Sequence, residues 1–453
     1  MKLLFFNLNK SINCTTFYNT PKKENVILKI NESDSGYCTM LRNPNNKDIH
    51  FYYRKTGSGK SVHHSDTCLS ISKDGINFNP PNKIFSNKCV SHNFSPFYDT
   101  KDKIFKGVGG LHITKWKGHF RLCKKYGNCE KTTELLSYPQ NKKGGGKIFD
   151  ASKEHQCYGG GLYLLTSNDG VKWELDSNKS FINGLHNGQT DGLFNCSEFD
   201  GGITCFYDES IKKYSLYCRS NVITQHRYIQ YTSSPDMKNW DDFDLITTTP
   251  KRLKKDNYYY SGFTKYPDTN HYIGITPYSD NTKENSGIWL MLSEDGKQWG
   301  RKQRWIATSC KSNRTSQHSV TGVILSNDEK EMYFYIQDNY FKLNGNKPIN
   351  IVRYSIKIDR LFGITPTDKD KEAEFTIQFK HKNKSMFYIN METEERGHIS
   401  IKLLDKNMKK INKSNKIVGN DINYKVEWRT NRFHFEYLLI VLYKASVYSI
   451  NYT

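Results

Sequence analysis

The sequence predicts an all-β protein: a five-bladed β-propeller over residues 1–348, followed by a C-terminal β-sandwich over residues 349–453. Three observations carry this reading. One short turn pattern recurs four times, tyrosine-rich strand patterns fill the chain, and the pattern changes after Asn346-Lys347-Pro348.

The turns read Ser72-Lys73-Asp74-Gly75…Phe78, Ser167-Asn168-Asp169-Gly170…Trp173, Ser234-Pro235-Asp236-Met237…Trp240 and Ser293-Glu294-Asp295-Gly296…Trp299. Gly accepts a positive φ and Asp bonds its own backbone, so each is a tight turn, and the following aromatic packs back over it. Successive copies stand 95, 67 and 59 residues apart, the spacing of propeller blades with insertions. The four aspartates Asp74, Asp169, Asp236 and Asp295 are therefore read as structural residues on the blade rims.

Strand patterns run from Gly36–Met40 and Ile49–Arg54 through Gly118–Leu122, Gly161–Leu165, Tyr214–Arg219, Tyr228–Thr232 and Tyr272–Ile275 to Ile288–Leu292. None has a 3.6-residue period, and turn residues bound each one. A fifth unit lacks the turn but offers strands at Val320–Leu325 and Glu331–Gln337. Residues 126–156, with Gly144-Gly145-Gly146, read as an exposed insertion in the second blade. Beyond residue 349, seven short strands make a separate sandwich of suitable size.

Composition agrees. Thirty Tyr and 25 Phe favour strands. No apolar run of membrane-spanning length occurs, and the N-terminal apolar stretch is too short for a signal peptide. Eleven scattered cysteines without CxxC pairs fit free thiols in a reducing compartment such as cytoplasm, or a virus particle, better than a disulfide framework. The formal charge of +21 is read as a Lys- and Asn-rich solvated surface, since no RNP-like motif or basic helix focuses it on nucleic acid.

Two motifs are set aside. Gly57-Ser58-Gly59-Lys60-Ser61 lacks the first glycine of a P-loop, which is Arg54 here, and reads as a hairpin tip. His63-His64-Ser65-Asp66-Thr67-Cys68 matches no common zinc spacing, so neither metal nor cofactor is expected.

Residues 89–110, 181–244 and 258–301 resemble the five-bladed propeller glycosidases related to glycoside hydrolase families 32, 43 and 68, in particular members with a C-terminal sandwich. The resemblance is carried by Asn93-Phe94-Ser95-Pro96-Phe97-Tyr98-Asp99, Phe206-Tyr207-Asp208, Tyr217-Cys218-Arg219, Arg227-Tyr228-Ile229 and Leu292-Ser293-Glu294-Asp295-Gly296…Trp299-Gly300-Arg301. In the sandwich it is carried by Gly397-His398-Ile399-Ser400-Ile401 and Tyr424-Lys425-Val426-Glu427-Trp428. It covers nearly the whole chain through loose motifs. It implies hydrolysis or transfer of a glycosyl group in an axial pocket, on an oligo- or polysaccharide that is itself acidic or neutral. Such enzymes use an Asp on the first blade, an Asp on the second and a Glu on the third. This chain departs from that: no acid stands on the first inner strand before Tyr37, only Glu32 and Asp34 nearby.

Glycoside cleavage needs two carboxyls about 5–5.5 Å apart for retention or about 6.5–9.5 Å apart for inversion. Asp99, at the start of an inner strand after Pro96-Phe97, is the expected base or pKa tuner lining the axis. Glu198 and Asp200 flank Phe199, and one of them is the expected acid. Glu32, Asp191, Arg219, Arg227 and Tyr260 are the expected substrate-binding residues; the arginines would clamp a carboxylate or hydroxyl-bearing ligand. Tyr258-Tyr259-Tyr260 and Trp116 offer stacking faces for sugar rings, or strand packing. The rival reading is a catalytically incomplete glycan-binding or structural component, for instance of a large virus particle. A neutral or basic axis would favour that rival.

Overall fold

The computed structural model describes residues 2–4, 11–31, 36–56, 65–86, 90–110, 161–177, 181–183, 188–189, 199, 201–221, 227–249, 257–259, 262–280, 285–307, 310–311, 314–340, 348–379, 386–430 and 433–452. These residues form strands and turns only, so none of them builds a helix able to cross a membrane.

The sheets are arranged as in a propeller. The first joins Gly36–Arg42, Ile49–Thr56, Ser65–Ser72 and Asn82–Phe85 in chain order, each antiparallel to the next. The second repeats this with Ser95–Asp99, Ile104–Gly109, Gly161–Ser167 and Glu174–Leu175, and the third with Thr204–Asp208, Lys213–Asn221, Arg227–Ser234 and Phe243–Leu245. A fourth sheet holds Phe263–Lys265, Tyr272–Ser279, Gly287–Ser293 and Gln298–Ala307. In the fifth, Ile324–Leu325, Glu331–Asp338 and Ile349–Lys357 are completed by Lys22–Ile30, an N-terminal strand.

Successive sheets meet through their inner strands, and the fifth meets the first. Ser95–Asp99 lies between Gly36–Arg42 and Thr204–Asp208; Thr204–Asp208 meets Phe263–Lys265; Tyr272–Ser279 meets His318–Ser319; and Ile324–Leu325 returns to Gly36–Arg42. At that return Met40 N donates to Thr321 O (2.8 Å) and Thr321 N to Cys38 O (2.9 Å). Gly322 permits the approach, since a Cβ there would stand 2.1 Å from Met40 O.

The repeated turn explains how sheets are held together. In each copy the Asp Oδ1 accepts two backbone N–H groups, as Asp74 does from Ile76 and Asn77 (both 2.8 Å) and Asp236 from Lys238 and Asn239 (both 2.8 Å). Gly75, Gly170 and Gly296 adopt φ of 73°, 76° and 74°, while Met237 takes φ 60° and offsets that strain by burying its side chain. The glycine carbonyls face the preceding sheet. Tyr335 Oη donates to Gly75 O (3.1 Å), Tyr52 Oη to Gly170 O (2.6 Å) and Tyr217 Oη to Gly296 O (2.8 Å). Trp173 and Trp299 Nε1 bond the same carbonyls from their own turns (both 3.0 Å). The four aspartates are thus turn residues.

A nine-stranded sheet follows, dominated by two long strands, Phe387–Leu404 and Tyr437–Tyr452, which pair along most of their length. Its core is aliphatic and aromatic: Ile364, Phe375, Phe387, Ile399, Ile401, Leu438, Ile440 and Ile450. Strands cross the boundary expected at residue 349 in both directions. Ile349–Lys357 pairs in the fifth sheet, whereas Lys2–Leu4, Ser11–Ile12 and Cys14–Tyr18 pair in the nine-stranded one. Both exchanges are long-range pairings that local pattern does not encode. The junction is polar and satisfied: Arg360 Nε donates to Asn390 Oδ1 (2.9 Å) and its Nη2 to Met391 O (2.9 Å). Beside it, Lys2 and Ser449 hold the buried carboxylate of Asp359 at 3.1 and 2.9 Å.

Tyr217→Phe, which deletes one buried clasp, is expected to cost about 1–2 kcal/mol. Gly296→Ala, whose Cβ would stand 2.5 Å from Tyr217 Oη, should cost about 1–3 kcal/mol. Urea unfolding of both variants and their combination should give a less-than-additive loss. Full additivity would mean that turn and clasp are independent.

Candidate functional site

The two ends of the ring of first strands carry different chemistry. Their C-terminal halves and the turns that follow enclose a cavity of about 610 Å³, lined by groups that include Thr39, Arg42, Ser95, Tyr98, Cys205, Phe206, Lys265 and Val323. Its polar groups are largely engaged with the fold. Arg42 donates to Lys47 O and Leu325 O (both 2.6 Å), and Lys265 pairs with Asp208 at 3.0 Å. Burial pushes the Cys205 thiol far up, which removes it as a nucleophile. The acids on the wall, Asp268 and Glu329, are solvent-exposed.

Asp99 stands at this end as well, but not in the wall. It closes the turn to Ile104, accepting Lys101 N (3.0 Å), and is fully buried. Lys106 Nζ lies 2.6 Å from its Oδ2, and Tyr214 Oη donates to it at 2.7 Å. The expectation that Asp99 lines the axis is therefore not met. Tyr98 and Thr100 line the cavity, while the Asp99 carboxylate turns into an ion pair between the second and third sheets. Asp208 repeats the device one sheet on, bonded by Tyr272, Ser210 and Lys265. Burial alone would raise the Asp208 carboxyl, but hydrogen bonds from Ser210, Tyr272 and Lys265 outweigh it and hold the group below its ordinary value.

The opposite end gathers residues from the first, third and fifth sheets, together with His92 just before the first strand of the second sheet and Tyr259 just after Asn257–Tyr258 of the fourth. Arg54 is paired in register with Gly36, so its guanidinium stands over the start of the first strand, 4.3 Å from the Tyr37 ring centre. Its Nη1 donates to His92 Nδ1 (3.1 Å), and Nη2 donates to Tyr340 Oη (3.0 Å). Because guanidinium only donates, His92 Nδ1 is an acceptor here, which places that ring's proton on Nε2. From Tyr340 the contacts continue to His318, with ring centres 4.2 Å apart, and from His318 to Tyr259 at 4.9 Å. Two further guanidiniums face Tyr259, Arg219 at 5.5 Å and Arg227 at 5.0 Å from its centre. Arg54 and Arg219 are only 4% and 2% exposed; Arg227 is half-buried and reaches the surface.

Backbone strain collects at the same place. Tyr37 has φ 49°, a left-handed conformation costly for an aromatic residue, and Asn339, next to Tyr340, has φ 59°. Gly36 is needed beside them, since a Cβ would stand 2.3 Å from the Tyr340 ring.

Of the expected site residues, the structure brings Arg219 and Arg227 together and separates both from Asp99, which lies at the other end of the first strands. Glu32, Asp191, Glu198, Asp200 and Tyr260 lie outside the described residues, as do Trp116, the Gly57–Ser61 tip and the His63-His64 pair. Among the described residues no group of three His, Cys, Asp or Glu side chains is placed to hold a metal, and Cys14, Cys38, Cys68, Cys205 and Cys218 are free thiols. Sequence reasoning missed Tyr37, Arg54, His92, Tyr259, His318 and Tyr340 as one group. The only local signal was Arg54, read as a flaw in a phosphate loop.

No protein-family profile matches the chain, and no curated protein sequence matches it. Solved structures do. An N-acetylgalactosamine deacetylase from F. plautii, in complex with blood group B trisaccharide, is similar over 76% of this chain and 96% of its own at 11% identity, with TM-score 0.44. A glycoside hydrolase is similar over 75% and 92% at 11% identity, TM-score 0.46. A family 43 arabinoxylan arabinofuranohydrolase from Bacillus subtilis, in complex with cellotetraose, is similar over 94% and 96% at 9% identity, TM-score 0.40. At these values no residue role is carried across, and the site stands on its own geometry.

Two outcomes follow. Asp99→Asn should destabilise the fold by about 3 kcal/mol, at the low end for a broken buried pair because Asp102 still holds Lys106 at 2.5 Å; denaturant unfolding measures it. The depressed Asp208 carboxyl contributes stability that is full above the unfolded value near about 4 and is lost as pH falls through the lower folded value. The thermal midpoint should therefore drop below about pH 4 less steeply in Asp208→Asn than in the wild type.

Proposed function

We propose that the five sheets close as a five-bladed propeller, that the nine-stranded unit is its C-terminal sandwich, and that the protein is a carbohydrate-binding propeller of glycosidase type. The observation that carries the reading is the convergence of Tyr37, Arg54, His92, Arg219, Arg227, Tyr259, His318 and Tyr340, drawn from the sheets and the segments that flank their strands, at one end of the first strands. Aromatic faces stack on the C–H faces of sugar rings, and guanidinium and imidazole groups bond hydroxyls or charged substituents. A site built from every blade is one that ring closure alone assembles. The described residues around it are basic and aromatic, which favours binding over hydrolysis.

One observation favours a hydrolytic role. The carbonyl of buried Phe199 accepts the side-chain N–H of Asn93, the residue after His92. Glu198 and Asp200 are its chain neighbours, and in that reading one of them is the acid of a glycosyl-transfer reaction.

Expected outcomes separate the two. Full-length protein should retain oligosaccharides from a broad glycan panel, and Tyr259→Ala, checked for folding by circular dichroism, should lose that retention. Turnover of aryl glycosides or oligosaccharides by the wild type, abolished in Glu198→Gln or Asp200→Asn, would replace the binding reading with the hydrolytic one.

A further inference from the structure

We propose that the nine-stranded unit carries a second binding surface, a strip of cations on one of its faces that takes a linear sulfated polysaccharide. The strip is separate from the group at the ends of the first strands and does not rest on it. Its chemistry begins in the sequence, where residues 402–429 hold eight Lys or Arg against three Asp or Glu. Strand pairing then gathers the cations. Lys402 stands directly opposite Lys413. Arg429 stands opposite Lys413 on its other side, since Ser414 bridges Trp428 and Arg429 N donates to Lys413 O (3.1 Å). Directly opposite residues share a face, so these three form a row across three strands, each about 5 Å from the next. Lys410, opposite Leu404, extends the row toward the turn that carries Lys406 and Lys409. Lys416 extends it the other way, beside Ile417, which bridges Ile399. Measured along Ile399–Leu404, the strip is about 17 Å long.

Little in the strip balances this charge. Lys402 reaches Glu374 at 3.6 Å, while the other side-chain cations named here make no ion pair among the described residues. The three acids serve the turns instead. Asp405 accepts Asn407 N (2.8 Å) and Lys409 N (2.9 Å), Asp421 accepts Asn423 N (2.8 Å), and Glu427 accepts the Asn415 side chain (3.3 Å). Like charges set directly opposite destabilise a sheet, and an anion laid across them reverses that cost. The positive field reaches His398 as well: burial first, then Lys416 and Lys413, hold its imidazole below the ordinary value against the pull of Glu372.

The surface narrows the occupant. Lysine meets an anion as a point charge from any direction, which suits sulfate and does not call for the planar fork of a carboxylate. Cations one strand apart need anions at comparably close spacing, and a sulfated chain carries more than one charge on many of its sugars. Single-stranded nucleic acid needs open rings to stack on, whereas Tyr424 and Trp428, the aromatic residues of these strands, pack against the core. A sheet face offers no protruding element to enter the groove of a duplex.

The experiment is a calorimetric titration of full-length protein with a heparin-derived dodecasaccharide, its desulfated form, oligogalacturonate, and single-stranded and duplex oligonucleotides. The sulfated chain is expected to bind about tenfold or more tightly than each of the others, with its affinity falling as salt rises toward about 0.5 M. Lys410→Glu, Lys413→Glu and Arg429→Glu together should weaken that binding about tenfold or more. Lys73→Glu, Lys172→Glu and Lys238→Glu together make the same change of charge on exposed turns of the first three sheets, and should weaken it less than about threefold. Circular dichroism checks folding; if the strip reversal disturbs it, Lys406→Gln, Lys410→Gln and Lys416→Gln, all at exposed positions, take its place. Equal losses in the strip and turn variants would assign binding to the general positive surface and overturn the strip. An oligonucleotide or oligogalacturonate bound as tightly as the sulfated chain would overturn the choice of occupant, as would equal binding of the desulfated form. No binding of the sulfated chain would overturn the proposal and leave the carbohydrate reading of the other site to its own glycan panel.

Discussion

One backbone carbonyl in each Ser-x-Asp-Gly turn ties a sheet to its neighbour. A turn glycine near φ 75° presents its C=O outward, and a tyrosine from the second strand of the preceding sheet donates to it. The three tyrosines are buried, so each bond is made where water does not compete, and leaving the carbonyl unmet would cost more than the bond gains. The clasp also runs around the ring. Tyr335 of the fifth sheet reaches Gly75 of the first, at the junction where Thr39 and Thr321 bridge the first strands and Lys22–Ile30 completes the last sheet. The fifth and first sheets are thereby joined at the turn by a side chain and between strands by backbone, and an N-terminal strand completes the fifth.

The two ends of the first strands are used differently. At one end Asp99 binds Lys106 of its own sheet and Tyr214 of the next, and Asp208 binds Lys265 and Tyr272 of the next, so buried charge serves cohesion. Removing one member leaves the other desolvated, and for that reason these acids fit a structural role better than a catalytic one. At the other end the packing holds arginines against aromatic faces and tolerates a left-handed Tyr37. Strain of that kind persists where neighbours over-determine a conformation, here Arg54 on one face of the ring and His92 at its edge.

The turn motif made much of the fold legible, because its chemistry is local: Ser, Asp and Gly act within four residues and declare a hairpin wherever they occur. Strand alternation was less informative. Tyr272–Ser279 is buried throughout, and a strand covered on both faces has no solvent side to mark. The domain boundary was misread because Lys22–Ile30 and Ile349–Lys357 pair over more than three hundred residues, and pairing at that distance leaves no periodic trace. Asp99 was misjudged for a related reason. Its position before a turn was visible, but the partners that bury it, Lys106 and Tyr214, come from another strand and another sheet. Arg219 and Arg227 were named from the sequence; that His318 and Tyr340 stand beside Tyr259 depends on contacts between sheets far apart in sequence.

The same reasoning bears on the charge of +21. Spread over a Lys-rich surface it is screened within about 10 Å at ordinary salt and carries little specificity. Arg54, Arg219 and Arg227 differ from that background in kind. They are arginines rather than lysines, they stack on rings instead of projecting into solvent, and two of the three are almost wholly buried. Burial makes a charge expensive to keep and correspondingly strong in its effect on whatever meets it. A fold that needed only cohesion at this end could have repeated the Asp-Lys-Tyr device it uses at the other. Placing cations against aromatic faces there instead is what sets this end apart from the other.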